Sequence, residues 1–296
     1  MIVLNACFIG SQWFKLITSS QKYARLGHVI NVFKSSINIK TSSGMLLTIT
    51  TRRNRSPIYV NICNKDVNFR NIVKAFTEVI LHDNFILIDN LKINISNSQI
   101  YESTLSRIKR NLNVNAQILA NILEEFINKG FLILYIAGII PKSFKFDIRG
   151  LIYDLASYTQ GRLSADQIIK KLSSILGFGD GFTPFTDDIV TGILGTLNVF
   201  MIYYNFGRPI YLPLNLLERR THWVSAQIIN YAQKGILIEE FENAIIGIIT
   251  LNIDKFTDSV LNLLSFGHSS GSGIILGILI ALSAIRAALR NSLKPR

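Results

Sequence analysis

The hydrophobic pattern of this chain changes its period part-way along the sequence, and that change limits the fold more than any other feature. In the first hundred residues, short runs of alternating apolar and polar residues, many of them β-branched, are separated by turn residues. Such runs predict strands with one buried face. We therefore expect a small barrel or a sandwich, whose clearest strands are residues 28–33, 45–50, 58–62, 84–89 and 91–95.

Two segments of the N-terminal half have helical spacing instead. The spacing of Ile72, Val73, Phe76 and Ile80 predicts a helix within residues 66–82. Residues 115–129 predict a second helix that ends at Gly130, and the apolar run that follows at residues 131–136 has the composition of a strand.

After about residue 148 the apolar residues recur at helical spacing. Ser164 and Gln167 form a capping-box pattern, which marks the start of a helix that stops at Gly177. Further helices are predicted at residues 186–204, 219–234, 238–250, 254–265 and 271–290. The sequence thus predicts an α+β fold, with a β-rich domain over residues 1–147 that holds one or two helices and a helical domain over residues 148–296.

Composition excludes a disordered protein, because 49% of the 296 residues are hydrophobic. The basic charge lies mainly in the first half: residues 1–150 carry 19 Lys and Arg against 8 Asp and Glu, and residues 151–296 carry 12 against 11. This asymmetry fits an ordinary solvated surface, an anionic ligand or partner, or nucleic acid. Since the dense cluster at residues 52–55 is typical of a polar hairpin loop, we do not predict nucleic-acid binding.

The cysteines and the termini indicate a cytoplasmic protein. Cys7 and Cys63 lie in apolar contexts without metal-ligand spacing, which predicts buried free thiols in a reducing compartment. The N-terminus lacks the positive flank of a signal peptide. Residues 273–289 are apolar but fall short of a membrane span and contain Arg286, so we predict a core helix and no span.

The segment at residues 176–188 combines three alternating glycines, a helix-start signal and two adjacent carboxylates. Glycine adopts backbone angles closed to other residues and lets another group approach closely. Thr183 and Pro184 predict an N-cap followed by a proline at the first helical position, which places Asp187 and Asp188 in the first turn.

Glycine-rich turns at helix starts favour anions, but the carboxylates of Asp180, Asp187 and Asp188 would repel one. Three arrangements resolve this conflict. The carboxylates complement the helix dipole and bind nothing; or they hold Mg²⁺, which bridges them to a phosphate; or they accept hydrogen bonds from a substrate NH₂ group. The sequence fixes no cofactor, and Mg²⁺ on Asp187 and Asp188 is the one candidate.

Glycine spacing also predicts how two helices meet. Asp188, Gly192 and Gly195 share one face of the first helix, and Gly273 and Gly277 share a face of the last. We expect the two helices to cross at these faces, which would bring the loop before each helix near the other.

The loop before the last helix, residues 266–273, is rich in hydroxyls and glycine and contains one imidazole. Its backbone N–H groups suit a phosphate or carboxylate, and His268 would bind an anion or act as a general acid or base. Taken alone, the segment is also typical of a capping turn. Residues 218–225 open another helix, where Arg219 or Arg220 would clamp a carboxylate or would simply be exposed.

These motifs resemble those of the AllH-like family, formerly a family of unknown function. Residues 177–188 resemble its signature G-x-G-x-G-x-T-P-S-G-D-D, and residues 267–271 resemble its second signature, G-H-S-S-G. Arg220, Thr221 and Ser225 look like its intervening helix start, and residues 29–33 and 46–50 are similar to its opening strands. Phe185 and Thr186 stand where the signature has Ser and Gly, which predicts a changed substrate pose.

The resemblance implies a subunit of a carbamoyltransferase that acts in allantoin or purine breakdown. That enzyme uses phosphate to cleave oxalurate to oxamate and carbamoyl phosphate, and it requires other subunits, among them an FdrA-like protein. Under this reading the catalytic candidates are Asp187, Asp188 and His268. The candidates for binding the anionic substrate and phosphate are Gly179, Gly181, Thr183, Arg220, Thr221, Ser269, Ser270 and Gly271. The alternative is a non-catalytic subunit that binds a small anion or serves as a scaffold.

Overall fold

The structure, a computed structural model, describes residues 1–63, 66–105, 115–138, 147–267 and 269–292. The chain divides into two compact units, Met1–Thr104 and Leu105–Arg296. The first is a β-barrel and the second is helical, so the α+β prediction is confirmed. The predicted boundary at residue 147 lies too late, because the helix that starts at Ala116 belongs to the second unit.

The first unit contains nine described strands and one helix. The helix, α1, is Ser11–Ser19, and its buried Trp13 donates its indole N–H to the Thr48 carbonyl at 3.3 Å. The strands are β1 (Ile2–Gly10), β2 (Tyr23–Val32), β3 (Ser36–Thr41), β4 (Leu46–Thr50), β5 (Tyr59–Ile62), β6 (Glu78–His82), β7 (Phe85–Ile88), β8 (Leu91–Asn94) and β9 (Gln99–Tyr101).

The strands close into a barrel, which decides between the two predicted β architectures. Their order is β5-β4-β3-β2-β6-β7-β8-β1, and β1 pairs with β5 to complete the circle, while β9 adds to β1. Burial alternates along β6, β7 and β8, as expected for strands with one face inside a barrel. All five predicted strands are present.

Two predictions about this unit are wrong. Residues 66–82 form a 3₁₀ turn at Phe69–Asn71 and then β6, because Phe76 takes a left-handed backbone angle (φ 66°) that ends any helix. The basic loop at residues 52–55 is not a hairpin, because the strands on either side of it, β4 and β5, run parallel.

The cysteine prediction is also wrong, because Cys7 and Cys63 are joined by a disulfide and neither is buried. Cys7 lies at an irregularity in the pairing of β1 with β5, between Ala6 and Phe8. The N–H of Cys63 donates to the Asn5 carbonyl at 3.0 Å, which holds the two cysteines side by side. The bond therefore joins the two strands whose pairing closes the barrel.

The second unit consists of nine described helices. They are α2 (Ala116–Ile136), α3 (Ile148–Thr159), α4 (Ala165–Ser174), α5 (Phe185–Tyr204), α6 (Leu214–Arg220), α7 (Trp223–Ala232), α8 (Glu239–Ile249), α9 (Ile253–Leu264) and α10 (Ser270–Ser292). The capping box at Ser164 is present. The strand predicted at residues 131–136 is wrong, because α2 continues through Gly130 and this run.

The difference in net charge between the two parts of the chain is smaller when they are divided at residues 104 and 105. The barrel unit carries 12 Lys and Arg against 5 Asp and Glu, and the helical unit carries 19 against 14. Both units are therefore basic, and the excess no longer marks the first one.

Two helices form the centre of the second unit. Phe185–Tyr204 and Ser270–Asn291 are long and apolar enough to cross a membrane, and 83% of the apolar window of each is buried inside the structure. Arg286 and Arg290 of α10 both form ion pairs with Glu124 of α2, at 2.9 and 2.6 Å. The segment at residues 273–289 is thus a core helix, as predicted.

The crossing of α5 and α10 depends on glycine. A Cβ atom on Gly192 would lie 2.2 Å from the Ile274 carbonyl, and one on Gly277 would lie 2.2 Å from the Ile189 carbonyl. The predicted crossing is confirmed at Gly192, Gly273 and Gly277. Gly195 is the exception, since it faces Phe241 instead of α10.

We predict that Gly277→Ala lowers the free energy of unfolding by about 3 kcal/mol, because the added methyl overlaps backbone atoms that cannot turn aside. Urea titration followed by the helical circular dichroism signal measures this. Gly161→Ala is the matched control: its backbone is left-handed (φ 72°) but its methyl meets no atom within 4 Å, so we expect about 1 kcal/mol. Equal losses in both variants would contradict the close crossing.

Candidate functional site

The loops that precede α5 and α10 lie against each other, as the glycine spacing predicts. The Thr183 hydroxyl oxygen lies 3.1 Å from that of Ser270, the first residue of α10. A Cβ atom on Gly273 would lie 2.7 Å from that of Asp188. The first turns of both helices therefore share one small region, formed within the helical unit.

The loop before α5, residues 177–183 (the glycine loop), owes its shape to backbone angles. Gly177, Gly179 and Gly181 have φ of 84°, 125° and 93°, which other residues rarely adopt. A Cβ atom on Gly177 would also lie 2.6 Å from the Arg220 carbonyl. Since residues 177–182 are exposed, the loop presents a fixed but open backbone surface to solvent.

The start of α5 differs by one residue from the prediction. Pro184, not Thr183, is the N-cap, and no side chain caps the helix there. The Thr183 hydroxyl contacts Ser270 instead. Asp187 and Asp188 nevertheless lie in the first turn, as predicted.

Asp187 holds the glycine loop to the rest of the unit. One carboxylate oxygen, Oδ1, accepts the N–H of Gly177 at 2.7 Å. The other, Oδ2, accepts the hydroxyls of Ser225, at 2.6 Å, and Thr221. The side chain is fully buried, and both of its oxygens are engaged within the protein.

The two residues that depart from the family signature also shape this loop. The Thr186 hydroxyl donates to the Phe178 carbonyl at 2.9 Å and accepts the Phe178 N–H at 3.0 Å. A Cβ atom on Gly179 would lie 2.6 Å from the Phe185 nitrogen. Thr186 therefore fastens the loop with a hydroxyl that glycine at this position would lack.

Asp188 differs from its neighbour in both contacts and charge. It is 3% exposed, and its Oδ2 has no hydrogen-bond partner among the described residues. Burial raises the pKa of Asp188 to about 8; a hydrogen bond from Ser270 opposes the shift and the charge of Asp187 adds to it. At neutral pH the carboxyl is therefore largely protonated, so it can donate as well as accept a hydrogen bond.

The loop before α10 is partly described. Gly267 has a left-handed backbone (φ 69°), and the N–H of Gly271 donates to the Phe266 carbonyl at 2.9 Å. The Ser269 carbonyl accepts the Gly273 N–H at 3.0 Å and the Ser272 hydroxyl at 2.7 Å. His268 lies outside the described residues, so its predicted role stays a prediction.

The structure separates the other predicted binding residues. Thr221 is the C-cap of α6 and contacts Asp187, whereas Arg220 is exposed. Within the described ranges, no three His, Cys, Asp or Glu residues form a group suited to a metal ion. The Mg²⁺ assignment to Asp187 and Asp188 stays untested.

Two residues near the loop were not among the predicted site residues. Ser225 is buried on α7, and because the helix is broken before it, no helical spacing in the sequence pairs it with Thr221 on one carboxylate. His222, the N-cap of α7, has its ring 6.4 Å from that of Phe182 in the glycine loop. The break between α6 and α7 brings both to the site, where a single helix had been predicted over residues 219–234.

Two protein-family descriptions match most of the chain. Residues 175–282 match the oxamate carbamoyltransferase subunit AllH, and residues 5–100 match the AllH family N-terminal domain. The chain belongs to the AllH family. The two matches correspond to the barrel unit and to the part of the helical unit that carries both loops. No curated protein and no solved structure matches the chain.

Membership in the AllH family identifies the chain as a subunit of the oxamate carbamoyltransferase type, and a subunit implies a complex of several chains. The first match begins just before the glycine loop and ends within α10. It thus includes Asp187, Asp188 and their hydroxyl partners.

The raised pKa of Asp188 predicts a pH-dependent stability. Because the folded state keeps this proton up to about pH 8 and the unfolded state releases it near pH 4, stability falls as pH rises between these values. The side chain of Asp188→Asn is neutral throughout. The free energy of unfolding of this variant should therefore rise relative to that of the natural protein by about 1 kcal/mol per pH unit in this window. Thermal unfolding at pH 5 to 9 measures the difference.

The control for this measurement is Asp258→Asn, which removes an exposed carboxylate from α9. A constant difference between Asp188→Asn and the natural protein across the whole range would show that Asp188 is ionised when folded.

Proposed function

We propose that this chain is the AllH subunit of a carbamoyltransferase that uses phosphate to cleave a small anionic ureide such as oxalurate. The products would be oxamate and carbamoyl phosphate. The observation that carries the proposal is the buried oxygen of Asp188, which has no partner among the described residues and lies where two glycine-rich loops meet. Family membership supplies the reaction class.

Asp187 and Asp188, both predicted from the sequence as catalytic residues, have different roles in this proposal. Asp187 shapes the glycine loop, since its oxygens are already engaged by Gly177, Thr221 and Ser225. Asp188 has an oxygen to offer to a carbamoyl group, and as a neutral acid it would accept from the NH₂ or donate to the carbonyl. An amide therefore suits this position better than a second carboxylate.

The anionic parts of the substrates would lie at the backbone of the loops. The exposed amides of residues 179–181 and the N–H groups at Ser269 and Ser270 would hold oxygens that gain charge as the carbamoyl group moves. Phosphate oxygen would attack the carbamoyl carbon, the bond to the oxamate nitrogen would break, and that nitrogen would take a proton. We assign the proton to His268 and the clamping of a carboxylate to Arg220.

The surroundings of the enzyme follow from the same proposal. Other carbamoyltransferase subunits, an FdrA-like protein among them, would complete the complex, and Mg²⁺ would accompany phosphate. We place this complex in the cytoplasm.

A specific observation favours the second candidate, a non-catalytic subunit that binds a small anion or serves as a scaffold. Asp188 is 3% exposed, and the glycines of α5 and α10 are explained by close helix packing. Calorimetry on the isolated chain separates the two: heat with phosphate, carbamoyl phosphate or oxamate supports a ligand site, and its absence supports a scaffold.

We predict that Asp188→Asn lowers kcat/KM for carbamoyl phosphate formation by about 100-fold in the reconstituted complex, because the amide N–H is a weaker hydrogen-bond donor than the acid O–H to a carbamoyl oxygen that gains charge. Coupled detection of carbamoyl phosphate measures the rate. Asp258→Asn on α9 should keep full activity. Full turnover by Asp188→Asn would remove Asp188 from the mechanism and favour the scaffold.

A further inference from the structure

Two hydroxyls far from the glycine loop in sequence determine how Asp187 is held. Ser225 of α7 is 2% exposed, and Thr221 lies in the break between α6 and α7. Both donate to Oδ2 of Asp187, Ser225 at 2.6 Å. That leaves Oδ1 for the Gly177 N–H at 2.7 Å, so a chain of hydrogen bonds runs from α7 to the first residue of the loop.

The backbone of the same loop residue also lies close to the end of α6. The carbonyl of Arg220, next to Thr221, would lie 2.6 Å from a Cβ atom on Gly177. The loop therefore begins on a surface made by the end of α6, and the backbone of Thr221 is extended there (φ −148°, ψ 177°). This extended residue both ends α6 and points its hydroxyl to Asp187.

The hydroxyls also bear on Asp188. Asp187 and Asp188 are consecutive in the first turn of α5, and both N–H groups donate to the Pro184 carbonyl, at 2.9 and 3.2 Å. A turn that is held through Asp187 fixes the direction in which Asp188 meets Ser270. The hydrogen bonds that the Asp187 carboxylate accepts are charge-assisted, and such bonds are about twice as strong as neutral ones.

We propose that Thr221 and Ser225 are positioning residues, which act through Asp187 to fix the glycine loop and the turn that presents Asp188. Their effect on turnover rests on the proposed function, whereas their effect on the loop does not. Neither residue needs to touch the substrate, because the contact with Asp187 suffices to place the groups that do.

Amide hydrogen exchange on the full-length chain tests the positioning without any substrate. We expect Ser225→Ala to speed exchange of the hydrogen-bonded Gly177 and Phe178 amides by about tenfold, the effect of losing one charge-assisted hydrogen bond. Ser225→Thr, which keeps the hydroxyl, should restore slow exchange. Ser259→Ala is the matched control, since Ser259 is 6% exposed on α9 and donates to the Lys255 carbonyl at 2.7 Å.

Unchanged exchange in Ser225→Ala, or an equal rise in Ser259→Ala, would overturn the proposal. If Ser225→Ala does not fold, Thr221→Val at the half-buried helix break carries the same expectation. In the reconstituted complex Ser225→Ala should lower kcat/KM about tenfold and Ser225→Thr should restore it. A different outcome is that Ser225→Ala exchanges faster while the reconstituted complex of the natural protein transfers no carbamoyl group. That outcome would rule out the proposed function and leave the positioning role of Ser225 intact.

Discussion

The close approach of α5 and α10 is the constraint from which the site follows. Gly192 and Gly277 place the backbone of one helix against that of the other, and a single methyl group would force them apart. Because both helices begin near this crossing, their preceding loops meet, and Thr183 comes within hydrogen-bond distance of Ser270. The same contact buries Asp188 against Gly273 and so raises its pKa.

Adjacent carboxylates in one helical turn acquire different chemistry because they point to different neighbours. Asp187 meets donors from three elements, and its charge is satisfied. Asp188 meets α10, where Ser270 is the donor, and burial without full pairing favours the protonated form. An acid that is neutral at pH 7 would not itself repel an anion at the glycine loop, so Asp188 drops out of the conflict between carboxylates and an anion.

The sequence predicted elements whose signal is local. Alternating runs gave the barrel strands, and glycine spacing gave the helix crossing, because a missing side chain is visible in the sequence itself. The apolar run at residues 131–136 was misread, since a continuous run fits a strand or a buried helix equally well. The break at Thr221 and the separate roles of Asp187 and Asp188 depend on contacts between distant residues, which no local pattern records.

The glycines of the glycine loop and those of α10 serve two distinct purposes, and this bears on what a change at each would do. Gly177, Gly179 and Gly181 supply backbone angles, whereas Gly271, Gly273 and Gly277 make room for neighbouring atoms. The first group shapes a surface open to solvent, and the second brings Asp188 to Ser270. Changes in the first group should therefore act first on the shape of this exposed loop, while changes in the second act on stability and on the burial of Asp188 together.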